Sequence, residues 1–125
     1  MAEFHIHGSP DEGFHWRLVT DKKEPLAASR RPYVLKAHCL RGIEIARHGK
    51  ARVTLYHDAA GRWHWKLVAP NGRTIAHSVD PCTSKEECVE AADRAGKAAV
   101  IAVLHDRSTG TRMRQAPRDP DRRFP

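Results

Sequence analysis

Nine histidines, three cysteines and 22 lysines and arginines are the chemically versatile side chains of this 125-residue sequence. Metal ligation needs three or four imidazoles, thiols or carboxylates to converge. His5-x-His7 places two imidazoles on one side of an extended strand, because side chains alternate across it, but no third ligand adjoins them. His15 and His64 stand between aromatic neighbours and are expected to face solvent from strands. Neither a metal nor a cofactor is expected. Cys39, Cys82 and Cys88 are odd in number and contain no CxxC pair, so neither a disulfide framework nor a four-ligand zinc site is suggested. Cys39 and Cys88 fall on apolar helical faces, where a thiol acts as a small hydrophobe. Cys82 precedes a helix whose dipole favours the thiolate, and is the one candidate reactive cysteine. No nucleophile elbow, phosphate-cradling glycine loop or HExxH pair occurs, so the sequence indicates no enzyme and no small-molecule substrate.

The cations point to a different chemistry. The net charge is +7. Residues 2–50, 51–104 and 105–125 contribute +3, +1 and +3, so the last sixth of the chain carries almost half of it. Arg107, Arg112, Arg114, Arg118, Arg122 and Arg123 are the candidate nucleic-acid contacts there. They are interleaved with prolines and aspartates, a composition expected to stay disordered and to tether nonspecifically to phosphates. Trp16, Trp63 and Trp65 offer faces for stacking on bases, but they alternate with charged residues as core-facing strand positions do, and burial is the stronger reading.

An internal repeat organises these residues. Phe14-His15-Trp16-Arg17-Leu18-Val19 returns 49 residues later as Trp63-His64-Trp65-Lys66-Leu67-Val68. The same spacing pairs Ala27 with Ala76, Ser29 with Ser78, Pro32 with Pro81, Lys36 with Lys85 and Cys39 with Cys88. Each copy reads as two alternating strands, a turn, a third strand at Leu26–Ser29 or Ile75–Ser78, and a helix after Pro32 or Pro81. Leu35, Cys39, Gly42, Ile43 and Ala46 line one face of the first helix; Cys88, Ala91, Ala92, Ala95, Ala99 and Ala102 line the second. Ser84 is its expected N-cap, with Glu87 as capping-box partner. The second helix is expected to continue through Ala98–Leu104, apolar around nearly its whole circumference. Such a surface needs a cover, and Val100, Ile101 and Leu104 are the candidate contacts of a homodimer.

The segments Tyr56-His57-Asp58, Gly61-Arg62-Trp63-His64-Trp65-Lys66-Leu67, Asn71-Gly72 and Ile75-Ala76-His77-Ser78 resemble the YegP-like family, a domain of unknown function often found as tandem repeats. The first copy keeps Trp16-Arg17-Leu18, Leu26-Ala27-Ala28-Ser29, Tyr33, Lys36 and Gly42-Ile43-Glu44. Lys22-Lys23 stands where the family has Asn-Gly, and Cys82 where an aromatic residue is usual, so the first hairpin and the second helix entry are expected to deviate. The resemblance implies an α+β fold: two tandem β-β-β-α repeats with pseudo-twofold symmetry, their antiparallel sheet packed against two helices. It brings no activity and no catalytic residue. The expected organisation is a first repeat over 1–49, a second over 50–104 sharing its core and ending in an extended helix, and a basic tail over 105–125. The function expected is a small non-enzymatic binding or assembly module; the alternative is weak, nonspecific nucleic-acid binding through the basic surface and tail. The longest apolar run is far short of a membrane span, and a soluble cytoplasmic protein is expected.

Overall fold

The computed structural model describes residues 1–48 and 51–108. Its elements run β1 (Glu3–Ser9), β2 (Gly13–Val19), β3 (Pro25–Ala28), α1 (Lys36–Arg47), β4 (Arg52–His57), β5 (Trp63–Val68), β6 (Thr74–His77), α2 (Lys85–Ile101) and β7 (Val103–Asp106). They form an α+β fold with one seven-stranded sheet in the order β4-β5-β6-β3-β2-β1-β7.

Alternation decides which side of each strand is buried. Phe4 and Ile6 of β1 and Phe14, Trp16 and Leu18 of β2 join Trp65 of β5 in one core with Cys39 and Ile43 of α1 and Cys88, Ala92, Ala95 and Ala99 of α2. Trp16 is 1 % and Trp65 3 % exposed, so both are core anchors rather than stacking platforms. Small side chains on α2 let the helix approach closely, and the edge of the Phe4 ring meets the Trp16 ring at 5.4 Å between centroids.

Hydrogen bonds recur at the 49-residue spacing. Phe4 pairs with Leu18 and Val53 with Leu67; Ile6 pairs with Trp16 and Leu55 with Trp65. The Trp16 N–H donates to Ser29 Oγ at 3.1 Å, and the Trp65 N–H to Ser78 Oγ at 3.2 Å. Helices α1 and α2 begin at Lys36 and Lys85, so the second helix entry does not deviate as expected. The two sets of strands join at a short antiparallel seam, where Ala28 of β3 faces His77 of β6.

Four expectations need correction. The sheet is mixed rather than antiparallel, because β7 runs parallel to β1. The second helix ends at Ile101, not at Leu104, and Ala102 lies buried in an extended conformation beyond it. The open edge of β1 needs partners for its backbone, and the chain supplies them: Val103 N–H donates to Ala2 O at 3.1 Å and Arg107 N–H to Ile6 O at 2.8 Å. Lys36 at the start of α1 pairs with Asp106 and fastens the added strand. Leu35 is the exposed N-cap residue of α1 and not part of its buried face. Lastly, the first hairpin keeps the turn of the second despite its lysines. Lys23 N–H donates to Thr20 O at 2.9 Å as Gly72 N–H does to Ala69 O, and Lys23 takes a φ of 68° where Gly72 has 87°.

Ser84 caps α2 as expected, its Oγ accepting from Glu87 N–H at 3.1 Å. The Glu87 carboxylate reaches the Thr83 N–H, one residue earlier than the capping-box partner expected.

Candidate anion-binding cleft

Antiparallel pairing of β3 with β6 brings the segment leaving β3 against the start of β6. There Arg30, Arg31 and Tyr33 face Arg73, Thr74 and Ile75 across a half-open cleft of about 590 Å³, with Lys66 reaching in from β5. Its charged lining is four cations and no carboxylate. None of the ion pairs among the described residues involves any of the four. Lys66 Nζ lies 5.7 Å from the centroid of the Tyr56 ring, which fixes its direction without neutralising it. Gathering like charges in a concave site focuses positive potential and favours an anion. Tyr33 also lines the cleft. Its backbone is bound in both directions to Phe14, at 2.7 and 2.6 Å, and burial pushes its phenol above the ordinary range.

His15 is exposed on β2 as expected, whereas some other strand histidines are enclosed by partners. His5 is only 8 % exposed: its Nε2 donates to Glu3 Oε1 at 2.7 Å, and Arg107 Nε donates to its Nδ1 at 3.3 Å. The ring of His7 stacks on His15, 5.9 Å between centroids, and burial followed by the charge of Arg17 holds His7 below the usual imidazole range. Glu3 also accepts from Lys23 Nζ at 2.7 Å; that bond, then the one from His5, holds its carboxyl at about 2. His64, expected to face outward freely, is half-buried and bonded to Asp58 Oδ2 at 2.9 Å, which holds Asp58 at about 2. Among the described residues no three histidine, cysteine or acidic side chains form a group able to hold a metal ion.

All three cysteines are free and buried. Burial pushes Cys39 to about 11, and burial, with a hydrogen bond that the Cys88 thiol donates to Cys82, pushes Cys88 to about 12. Cys82, the candidate reactive thiol, is enclosed before α2 and bridged to Trp63 through its backbone. Arg107 braces His5 and is set apart from the cleft; Arg112, Arg114, Arg118, Arg122 and Arg123 lie outside the described residues. Val100, Ile101 and Leu104 are 60 %, 61 % and 41 % exposed, the first two on α2 and the last on the edge strand β7. Among the described residues no helix is long and apolar enough to cross a membrane.

Sequence reasoning missed the cleft. Its visible signal is the Arg30-Arg31 doublet, but Lys66 and Arg73 join it only through the seam.

Comparison with known proteins places this arrangement among folds without an assigned role. No curated protein matches the chain. The solution NMR structure of the protein of unknown function yegP from E. coli is similar, with a TM-score of 0.73 at 17 % identity over 86 % of this chain and 93 % of that one. The solution NMR structure of UPF0339 protein SO3888 from Shewanella oneidensis is similar at a TM-score of 0.75 and 17 % identity, over 86 % and 92 %. At that identity the likeness shows the fold alone. Residues 58–106 match the family described as a domain of unknown function, DUF1508. The chain is therefore YegP-like in fold, and its residues 58–106 match the DUF1508 domain of unknown function.

Proposed function

We propose that the chain is a non-enzymatic binding module whose ligand is single-stranded nucleic acid, held by its phosphates in the cleft at the β3–β6 seam. The observation that carries this reading is the lining of Arg30, Arg31, Lys66 and Arg73 without a carboxylate. Trp16 and Trp65 are buried and Tyr33 is half-buried, which leaves phosphate contact rather than base stacking as the main source of affinity. Binding is thus expected to be weak and indifferent to sequence. We further infer that residues 1–49 and 50–104 are two copies of one β-β-β-α unit related by a pseudo-twofold axis, which the recurring registers support. A site at the seam then exists only when both copies are present. Arg112, Arg114, Arg118, Arg122 and Arg123 would add nonspecific contacts, and the free thiols suit a reducing compartment such as the cytoplasm.

Fluorescence anisotropy of a labelled single-stranded oligonucleotide over a range of salt tests the assignment. Four phosphate contacts give a slope of log K against log salt of about −3, and each cation replaced by alanine makes it shallower by roughly 0.7. Unchanged affinity and slope after replacing all four would reject the cleft as the site.

Assembly is the second reading, favoured by the exposure of Val100, Ile101 and Leu104 beside an edge strand. Sedimentation supports it if the wild type dimerises and an Ile101→Glu, Leu104→Glu variant is a folded monomer. A wild type that stays monomeric at high concentration excludes it.

A further inference from the structure

The two ends of the seam share a backbone framework but differ in filling. At one end Tyr33 bonds Phe14 through both its N–H and its carbonyl; at the other, Cys82 bonds Trp63 in the same way, at 2.8 and 3.2 Å. Ser29 and Ser78 hold the flanking Trp16 and Trp65 identically. With equivalent backbone, Tyr33 and Cys82 direct their side chains alike, toward the tryptophan and the helix crossing it. Tyr33 fills that space: its hydroxyl lies 2.5 Å from where a Cβ on Gly42 would stand. Cys82 ends at its sulfur, and Ala91 of α2 stands at the position corresponding to Gly42. Beside Cys82 lies a half-open cavity of about 200 Å³ bordered by Leu26, Trp65, Cys82 and Ala91, with Ser78, Asp80, Glu87 and Arg94 as its polar lining.

We propose that this cavity is a binding site for a small molecule bearing a terminal phenyl ring, which takes the place in the second half that the Tyr33 ring holds in the first. Its inner wall of Leu26, Trp65, Cys82 and Ala91 is apolar, and a space of about 150 Å³ between apolar walls is enough to accept benzene. The occupant's shape follows from the exchange of Gly42 for Ala91. The methyl group of Ala91 occupies the point against which a para hydroxyl would rest, so the inner edge of the ring must be bare. Any polar substituent must point outward, where Asp80, Glu87 and Arg94 meet solvent. The site is separate from the basic cleft, and its occupancy does not depend on nucleic acid.

Titration of the full-length protein with benzyl alcohol and with 4-hydroxybenzyl alcohol, followed by the indole N–H resonance of Trp65, tests the proposal. Burial of one ring supports a saturable shift with a dissociation constant on the order of 1 mM for benzyl alcohol. The para hydroxyl weakens binding by about tenfold or more, the effect of forcing an atom into filled space. Cys82→Phe supplies the ring from the chain itself and abolishes the shift while the fold is retained. Should that variant not fold, Ala91→Val narrows the cavity from the helix side and weakens binding at least as much as the para hydroxyl does. No saturable Trp65 shift, equal affinity for the two alcohols, or undiminished binding in a folded Cys82→Phe or Ala91→Val protein would overturn the proposal.

Discussion

Replacing Gly42 with alanine sets two known effects against each other. Within a helix the change favours folding by about 0.8–1 kcal/mol, because glycine has more backbone freedom to lose. The new methyl group would meet the Tyr33 hydroxyl at 2.5 Å and Trp16 Nε1 at 3.2 Å. Neither neighbour yields easily, since Trp16 is fully packed and Tyr33 is tied to Phe14 from both sides. The Trp16 indole N–H also lacks a hydrogen-bond partner in good geometry, so any shift moves an already unsatisfied group. Overpacking of this kind costs about 1–3 kcal/mol, more at the close end, so the net expectation is a loss of about 1–2 kcal/mol. Tyr33→Phe removes the atom at 2.5 Å and leaves contacts of 3.2 Å that relax by tenths of an ångström. In that background Gly42→Ala should fall within about 0.5 kcal/mol of neutral, a coupling of at least about 0.5 kcal/mol across the cycle. Gly96, on an open part of α2 with nothing within 4 Å, is the internal control: alanine there should stabilise by up to about 1 kcal/mol. Urea unfolding of the five proteins reads all of these. If Gly42→Ala proves as stable as the wild type with Tyr33 intact, the packing argument is wrong, and so is the explanation of why Cys82 accompanies Ala91.

Glu3 and Asp58 sit at about 2 when folded, below their ordinary 4.5 and 3.8, so the unfolded chain takes up protons first as pH falls. Stability should therefore decline between about pH 5 and 2, and a Glu3→Gln, Asp58→Asn variant should flatten the urea midpoint over that window. His7 is also lowered when folded, so its protonation favours unfolding below the ordinary 6.5; its NMR titration should lie on the acid side of a free imidazole. Lys23 holds a left-handed φ of 68°, so Lys23→Gly in a Glu3→Gln background should stabilise by about 1 kcal/mol, and by less with Glu3 present, where its ion pair is lost. Cys39 and Cys88, pushed to about 11 and 12, should resist alkylation at mildly alkaline pH until denaturant opens the fold; modification of both in the native protein would contradict their burial.

Much of the core was legible because strand alternation is local. Phe14, Trp16 and Leu18 announce a buried side with His15 and Arg17 opposite, and the structure agrees. The Ser84 cap was legible for the same reason, since donor and acceptor lie three residues apart. What escaped was non-local. The run Ala98–Leu104 is apolar in too many directions for one helix, and the chain resolves this by leaving the helix at Ala102 and pairing with β1, roughly a hundred residues earlier. Four residues are too few to advertise a strand when the partner is so distant. The Lys22-Lys23 turn was misjudged because residue preference was weighed without the hairpin that enforces it, or Glu3 across from it. The basic cleft depends on one seam pairing, Ala28 with His77, which no local pattern displays.

The most direct test of the account is where a nucleic acid touches the molecule. Backbone and side-chain NMR shifts of the full-length protein, titrated with a short single-stranded oligonucleotide at low salt, should cluster at Arg30, Arg31, Lys66 and Arg73–Ile75, with Trp16 and the apolar face of α2 unmoved. Shifts confined to residues 109–125, with the seam silent, would contradict it.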